Sequence, residues 1–195
     1  RGVVLVLLLL LILPLMIASL VIGSRVIPVS ETFAAIHNFN PHNDAHLVIR
    51  ELRLPRTFLA LLAGAALGLA GALMQSMTRN TLAEPGTLGV NAGAAAGVVL
   101  GLSITGSASI TVYVWFAFVG AGVASLVVHR LGRAGESGVN PVRLVLAGAG
   151  LSITLSSLTT MVILSSAQTV FDSFRNWASG SLQGRGWDVL PVTIA

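Results

Sequence analysis

Residues 85–128 read PGTLGVNAGAAAGVVLGLSITGSASITVYVWFAFVGAGVASLVV, 44 residues without an Asp, Glu, Lys or Arg. Wound as one helix at about 1.5 Å per residue, the stretch would measure about 66 Å, twice a bilayer core of roughly 30 Å. It therefore holds two helices, turning at the polar, Gly-containing segment 103–109, with spans near 87–102 and 110–128. The rest of the chain is built the same way. Of its 195 residues 54% are hydrophobic and 9% charged, and the mean hydropathy is +0.88. Soluble domains average about 25% charged residues, so this chain lacks the polar surface that a water-facing fold needs. Its solvent is lipid.

Working outward, residues 57–78 form a second uncharged run and give a span near 57–77. Residues 2–24, with a leucine block at 7–11 and a single Pro14, give a span near 3–22. Arg1 is the positive flank of a signal peptide, but an apolar region of about 7 to 15 residues with a small-residue cleavage site would then be expected. The run is read as a retained helix. Residues 144–171 give a fifth span near 144–167. Asp172, Arg175, Trp177, Gly180, Gly184, Gly186 and Trp187 follow, a composition suited to an interfacial segment over 168–188. From Val189 the chain turns apolar again, as at the start of a sixth helix. The expected fold class is an all-α polytopic membrane protein, one transmembrane domain over 1–195, read as an excerpt of a longer chain. Gly89, Gly93, Gly97 and Gly101 recur every four residues, and Gly64, Gly68 and Gly71 form a second stripe. Both are read as close helix packing; neither follows a strand, so no dinucleotide fingerprint arises.

The chemistry is bounded by what the spans lack. They contain no Asp, Glu, Lys, Arg or His, which argues against an intramembrane enzyme, an ion pump or a voltage sensor. With no Cys, thiol chemistry and Cys-ligated metals are excluded. The net charge of +4 comes from scattered arginines with no Lys and few aromatics, not the clustered footprint of a nucleic-acid binder. His37, His42, His46 and His129 lie between spans. His42 and His46 are four apart, but Pro41 before them suggests a loop, and both are read as solvated rather than metal-binding. The fifth span is rich in hydroxyls, with Ser152, Ser156 and Thr159 at i, i+4 and i+7. Either they line a wet passage, or they are satisfied on their own backbone or a neighbouring helix. Gln75 and Asn91 are read as tying the 79–89 connection to the bundle. Counting arginines on alternate ends gives five against six, which orients nothing. The cluster Arg50, Arg53 and Arg56 calls for an acidic partner or for neutralisation by Glu51, and composition favours the second.

A resemblance adds to this. Residues 53–56 (RLPR), 63–67 (AGAAL), 71–75 (GALMQ), Arg79-Asn80, 82–86 (LAEPG), 88–93 (LGVNAG), 141–144 (PVRL) and 146–148 (LAG), with Trp177, Gly180, Ser181 and Trp187, resemble the FecCD-type permeases. These are the membrane subunits of ABC importers for ferric siderophores, haem and cobalamin. The resemblance implies a permease of about ten helices, of which this chain would be the amino-terminal half. It further implies a second permease subunit in a homo- or heterodimer, a cytoplasmic ATPase pair that holds ATP and Mg, and an extracytoplasmic binding protein. No cofactor or metal is implied for the chain itself. The amino terminus would lie in the cytoplasm of a bacterial inner membrane, and segment 168–188 outside it. Arg53 and Arg56 would dock the binding protein, and Asn80, Leu82, Pro141 and Val142 would form the cytoplasmic gate. Thr81 departs from the family's usual Pro and puts that turn in question. Iron-siderophore import is the favoured activity; cobalamin or haem import and a non-transporting membrane subunit are the alternatives.

Overall fold

A computed structural model describes residues 2–106, 109–133 and 141–191. Among the described residues the ordered elements are helices, with no strand: α1 (Gly2–Val21), α2 (Val29–His37), α3 (Asp44–Leu47), α4 (Leu54–Thr78), α5 (Val90–Thr105), α6 (Ile110–Gly132), α7 (Pro141–Ser165) and α8 (Gln168–Ala178). A π turn at Val48–Arg53 joins α3 to α4, and a 3₁₀ turn at Pro85–Leu88 precedes α5. Four helical runs are long and apolar enough to cross a membrane: Gly2–Val21, Asp44–Thr78, Ile110–Gly132 and Val142–Ser165. The chain is a multi-pass membrane protein.

The expected span near 87–102 differs from α5 in register and reach. Gly89 and Gly106, at φ +74° and +63°, bound it at both ends. The left-handed region is open to glycine without a Cβ clash, so the 3₁₀ turn stops at Gly89 and only 16 residues, about 24 Å, wind as α-helix. Of the turn expected at 103–109, residues 107–108 lie outside the described residues. So does most of the expected sixth helix, since residues 192–195 are not described.

The chain divides into two compact units, residues 1–65 with 182–195, and residues 66–181, the division falling inside α4. In the first unit the core is Ile27, Ala35, Ala45 and Ile49, which packs α2 and α3 against the π turn. The Asn43 side chain caps α3 by accepting from the Ala45 N–H at 2.9 Å. His46, expected to be solvated, is instead 6% exposed. Its Nδ1 accepts the Asn40 N–H at 3.0 Å and its ring lies 6.4 Å from that of Phe39, so it pins the 38–43 loop; His42 is exposed.

In the second unit α5 and α6 cross closely. A Cβ at Gly97 would overlap the Phe116 carbonyl, one at Gly93 the Gly120 carbonyl, and one at Gly101 the Phe116 ring. Only glycine lets these backbones approach so far. Gly89 faces α7, its Cβ direction 3.2 Å from Ser152 Oγ. The second stripe behaves differently: apart from the backbone of α4 itself, no heavy atom of the described residues lies within 4 Å of a Cβ at Gly64, Gly68 or Gly71. Val98, Leu102, Tyr113, Ala117 and Val170 form this unit's core, with Phe174 and Trp177 packed on it. Segment 168–188 thus opens with a helix, α8, whose apolar Val170, Phe174 and Trp177 recur at i, i+4 and i+7.

Candidate functional site

Two sets of residues expected to carry function are placed by the fold, the arginines beside the π turn and the connection that follows α4.

The arginine set starts from Pro55. Proline has no N–H, and its ring crowds the carbonyl four residues back. Here the backbone answers with wider turns: the Leu54 N–H donates to the Ile49 carbonyl five residues back. In that register the Arg50 carbonyl would accept from residue 55, which has nothing to donate. The indole Nε1–H of Trp187, 137 positions along, donates to it at 2.9 Å instead. An orphan main-chain acceptor is thus closed by a side chain, and Trp187 stays in place against Phe58, ring centroids 6.2 Å apart.

The π turn sends the three arginines different ways. Arg50 is exposed, its guanidinium 4.5 Å above the Phe39 ring, a cation–π contact. Arg56 is half-buried and walls a cavity of about 260 Å³ with Gly23, Ser24, Leu52 and Gly184. Arg53, expected with Arg56 to face a partner, is only 4% exposed. Its Nη1 donates to the Leu20 carbonyl at 2.6 Å and the Val21 carbonyl at 2.9 Å, and its Nη2 to the Arg25 carbonyl. The first two are carbonyls that the end of α1 leaves without helical partners and the third lies in the turn that follows, and a cation at a helix carboxyl end also meets the favourable pole of the macrodipole. Arg53 therefore serves the fold here and is not presented. Its own carbonyl accepts from Thr57 Oγ1 at 2.8 Å; with that proton committed, Ser19 Oγ donates to Thr57 Oγ1 at 2.9 Å and links α1 to α4.

At the other set, Arg79 ends α4 with φ +49°, and Asn80 closes the turn. The Asn80 Oδ1 accepts the Leu82 N–H at 2.9 Å and its carbonyl accepts the Ala83 N–H at 3.2 Å, an Asx-turn stacked on a β-turn. Leu82 is left 88% exposed. Asn80, Leu82 and Val142 come together around a groove of about 380 Å³ with Thr78, Val145 and Leu146. Pro141 opens α7 beside them in sequence, at the position where a missing N–H costs least.

Ser152, Ser156 and Thr159 share one face of α7 by their spacing but differ in exposure. Ser152 Oγ donates to the Gly148 carbonyl at 2.7 Å, and Thr154, Ser157, Thr160, Ser165 and Ser166 likewise donate to carbonyls four residues back. Ser156 is exposed, whereas Thr159 is 7% exposed with its Oγ1 unpartnered. Most of these hydroxyls are satisfied on their own helix. What sequence reading missed is the split between Arg53 and Arg56 and the anchor at Trp187; a helix start interrupted by Pro55 is the signal that bears on both.

The profile of the FecCD transport family matches residues 8–195. The chain is 46% identical over 176 residues to the ferric enterobactin transport system permease protein FepD of Escherichia coli (strain K12), an alignment covering 90% of this chain and 52% of that protein. To the achromobactin transport system permease protein CbrC of Dickeya dadantii (strain 3937) it is 40% identical, covering 92% of this chain and 51% of the other. Among solved structures, a metal-chelate type ABC transporter in an inward-facing conformation superposes with a TM-score of 0.76 at 26% identity, covering 97% of this chain and 57% of that one. The chain spans about half the length of the relatives it matches. With the motifs, the helical order and a family profile in agreement over nearly every residue, the chain belongs to the FecCD transport family.

Proposed function

We propose that the full-length protein is the permease subunit of an ATP-driven importer that carries an iron–siderophore complex across the bacterial inner membrane. The observation that carries this reading is the 46% identity, over 90% of the chain, to a ferric enterobactin permease. The permease makes and breaks no bonds. Two permease subunits enclose a path, a cytoplasmic ATPase pair binds ATP and Mg and drives closure, and an extracytoplasmic binding protein delivers the chelate. Alternating access then rocks the permease between outward and inward openings.

The residues suit these parts. Arg56, the half-buried member of the expected docking pair Arg53 and Arg56, supplies the positive charge that would meet acidic groups of the binding protein. Asn80, Leu82, Pro141 and Val142 would form the cytoplasmic gate, where an exposed leucine on a stiff Asx-turn and an exposed valine at the start of α7 can close an apolar seam that excludes water. Ser152, Ser156 and Thr159 are the hydroxyl positions of a neutral path, which suits cargo too bulky to be held at one tight site. The test is uptake of radiolabelled ferric siderophore in cells lacking their own permease and supplied with the full-length gene, its ATPase and its binding protein. Uptake should appear, and should vanish with a hydrolysis-dead ATPase. Uptake indifferent to the ATPase would overturn the reading, and entry of cobalamin or haem alone would reassign the cargo within the same family.

A further inference from the structure

We infer that Arg53 is a positioning residue, a guanidinium clasp that holds the end of α1 and the Gly23–Arg25 turn against the π turn so that Arg56 is offered to a partner in one fixed setting. Three observations converge. The guanidinium reaches three main-chain carbonyls, those of Leu20, Val21 and Arg25. No other residue type supplies a planar fork of five donors, and a lysine ammonium is a point charge that cannot span the same set. Next, the space it fills is cut to its shape: a Cβ at Gly23 would stand 2.8 Å from Nη2 and 3.0 Å from Cζ. Finally, the clasped turn and the arginine one helical turn further on share a cavity, with Gly23 and Ser24 on one wall and Arg56 on another.

At 4% exposure the Arg53 charge is spent on carbonyls and offers nothing to a docking surface. Its work passes through the backbone it holds. Loosening the clasp frees Gly23 and Ser24, which wall the cavity that Arg56 shares, and Arg25 next to them. It also frees Ile27, 2% exposed, whose N–H donates to the Val21 carbonyl at 3.2 Å and whose side chain is part of the first unit's core. This assignment rests on the reading of Arg56 as a docking charge only for its effect on the partner, not for the clasp itself.

The experiment uses the full-length permease assembled with its ATPase in nanodiscs, and two readouts. The first is the rate at which a membrane-impermeant maleimide labels Ile27→Cys, a reporter introduced where this chain has no Cys of its own. The second is binding-protein affinity as a function of salt. Arg53→Lys keeps the charge but not the fork, and Gly23→Val keeps both arginines while pushing the guanidinium aside. Each should raise the labelling rate about tenfold, the measure of a local opening made easier, and should weaken docking while leaving its salt slope at the wild-type value. Arg56→Gln should do the reverse, leaving labelling unchanged and flattening the slope, as loss of a rim charge does. The clasp is overturned if Arg53→Lys and Gly23→Val leave labelling at the wild-type rate, or if Arg53→Gln flattens the salt slope as much as Arg56→Gln does. Should Arg56→Gln leave docking untouched, the docking reading fails by itself, and the labelling rates still decide the clasp.

Discussion

A glycine in a helix crossing is tested by whatever its missing Cβ would meet. At Gly97 that is the Phe116 carbonyl, main chain that can yield only if α5 and α6 part; at Gly101 it is the Phe116 side chain at 2.7 to 3.0 Å, a milder overlap that a turn of the ring can partly relieve. Alanine gains up to about 1 kcal/mol in helix propensity over glycine, whereas overpacking in a close-packed interior costs about 1 to 3 kcal/mol. The steric cost prevails at Gly97, and the two nearly cancel at Gly101. Gly97→Ala should therefore lower the thermal midpoint of the detergent-solubilised protein clearly more than Gly101→Ala; the opposite order would remove the close crossing as the reason for the stripe. Sequence showed that both glycines stand on one helical row. It could not show that the parallel row of Gly64, Gly68 and Gly71 meets no neighbour among the described residues, because spacing reports a face and not what lies opposite.

The elements show the same division between local and distant causes. The long spans were legible largely from charge, since α1, α4, α6 and α7 lie over uncharged stretches, with Arg56, Arg130 and Arg143 confined to a terminal turn. The short helices α2 and α8 were not, because nine and eleven residues of mixed polarity give little contrast in a composition scan. The different fates of Arg53 and Arg56 could not be read locally either. They follow from a π turn forced at Pro55 and closed by Trp187, and no window of sequence holds both residues. Among the connections, the one after α4 makes a prediction at this scale. Thr81 occupies the second position of a β-turn closed by the Ala83 N–H, and Arg79 is the only described non-glycine with positive φ. Position 81 thus already has the negative φ that proline requires. Thr81→Pro should stabilise the connection by about 0.4 to 1 kcal/mol by restricting the unfolded chain, seen as slower protease cleavage at 79–84. Faster cleavage would mean that the turn is held by something other than the Asn80 bonds.

For the whole molecule, the proposed function would give the arginine face and the Asn80 groove different steps of a transport cycle. The first depends on charge and the second on apolar closure, so the two should respond differently to salt. Exposed charges interact over a Debye length of about 8 Å at physiological ionic strength, so docking weakens as salt rises while an apolar seam does not. Arg56→Glu in the full-length permease should reduce binding-protein affinity, and reversing the opposing acidic residue of the binding protein to Lys should restore it. Failure of that exchange would remove Arg56 as a docking charge.

Trp187 gives the arginine face a means of being watched. Its indole N–H is held by the Arg50 carbonyl and its ring by Phe58, so its emission depends on whether the π turn is wound. The other two tryptophans of this chain, Trp115 and Trp177, can be changed to Phe, which keeps a ring beside Phe118 and Phe174. Among the tryptophans of these 195 residues, what is left is one indole beside the candidate docking surface, a colour signal for the moment a partner arrives.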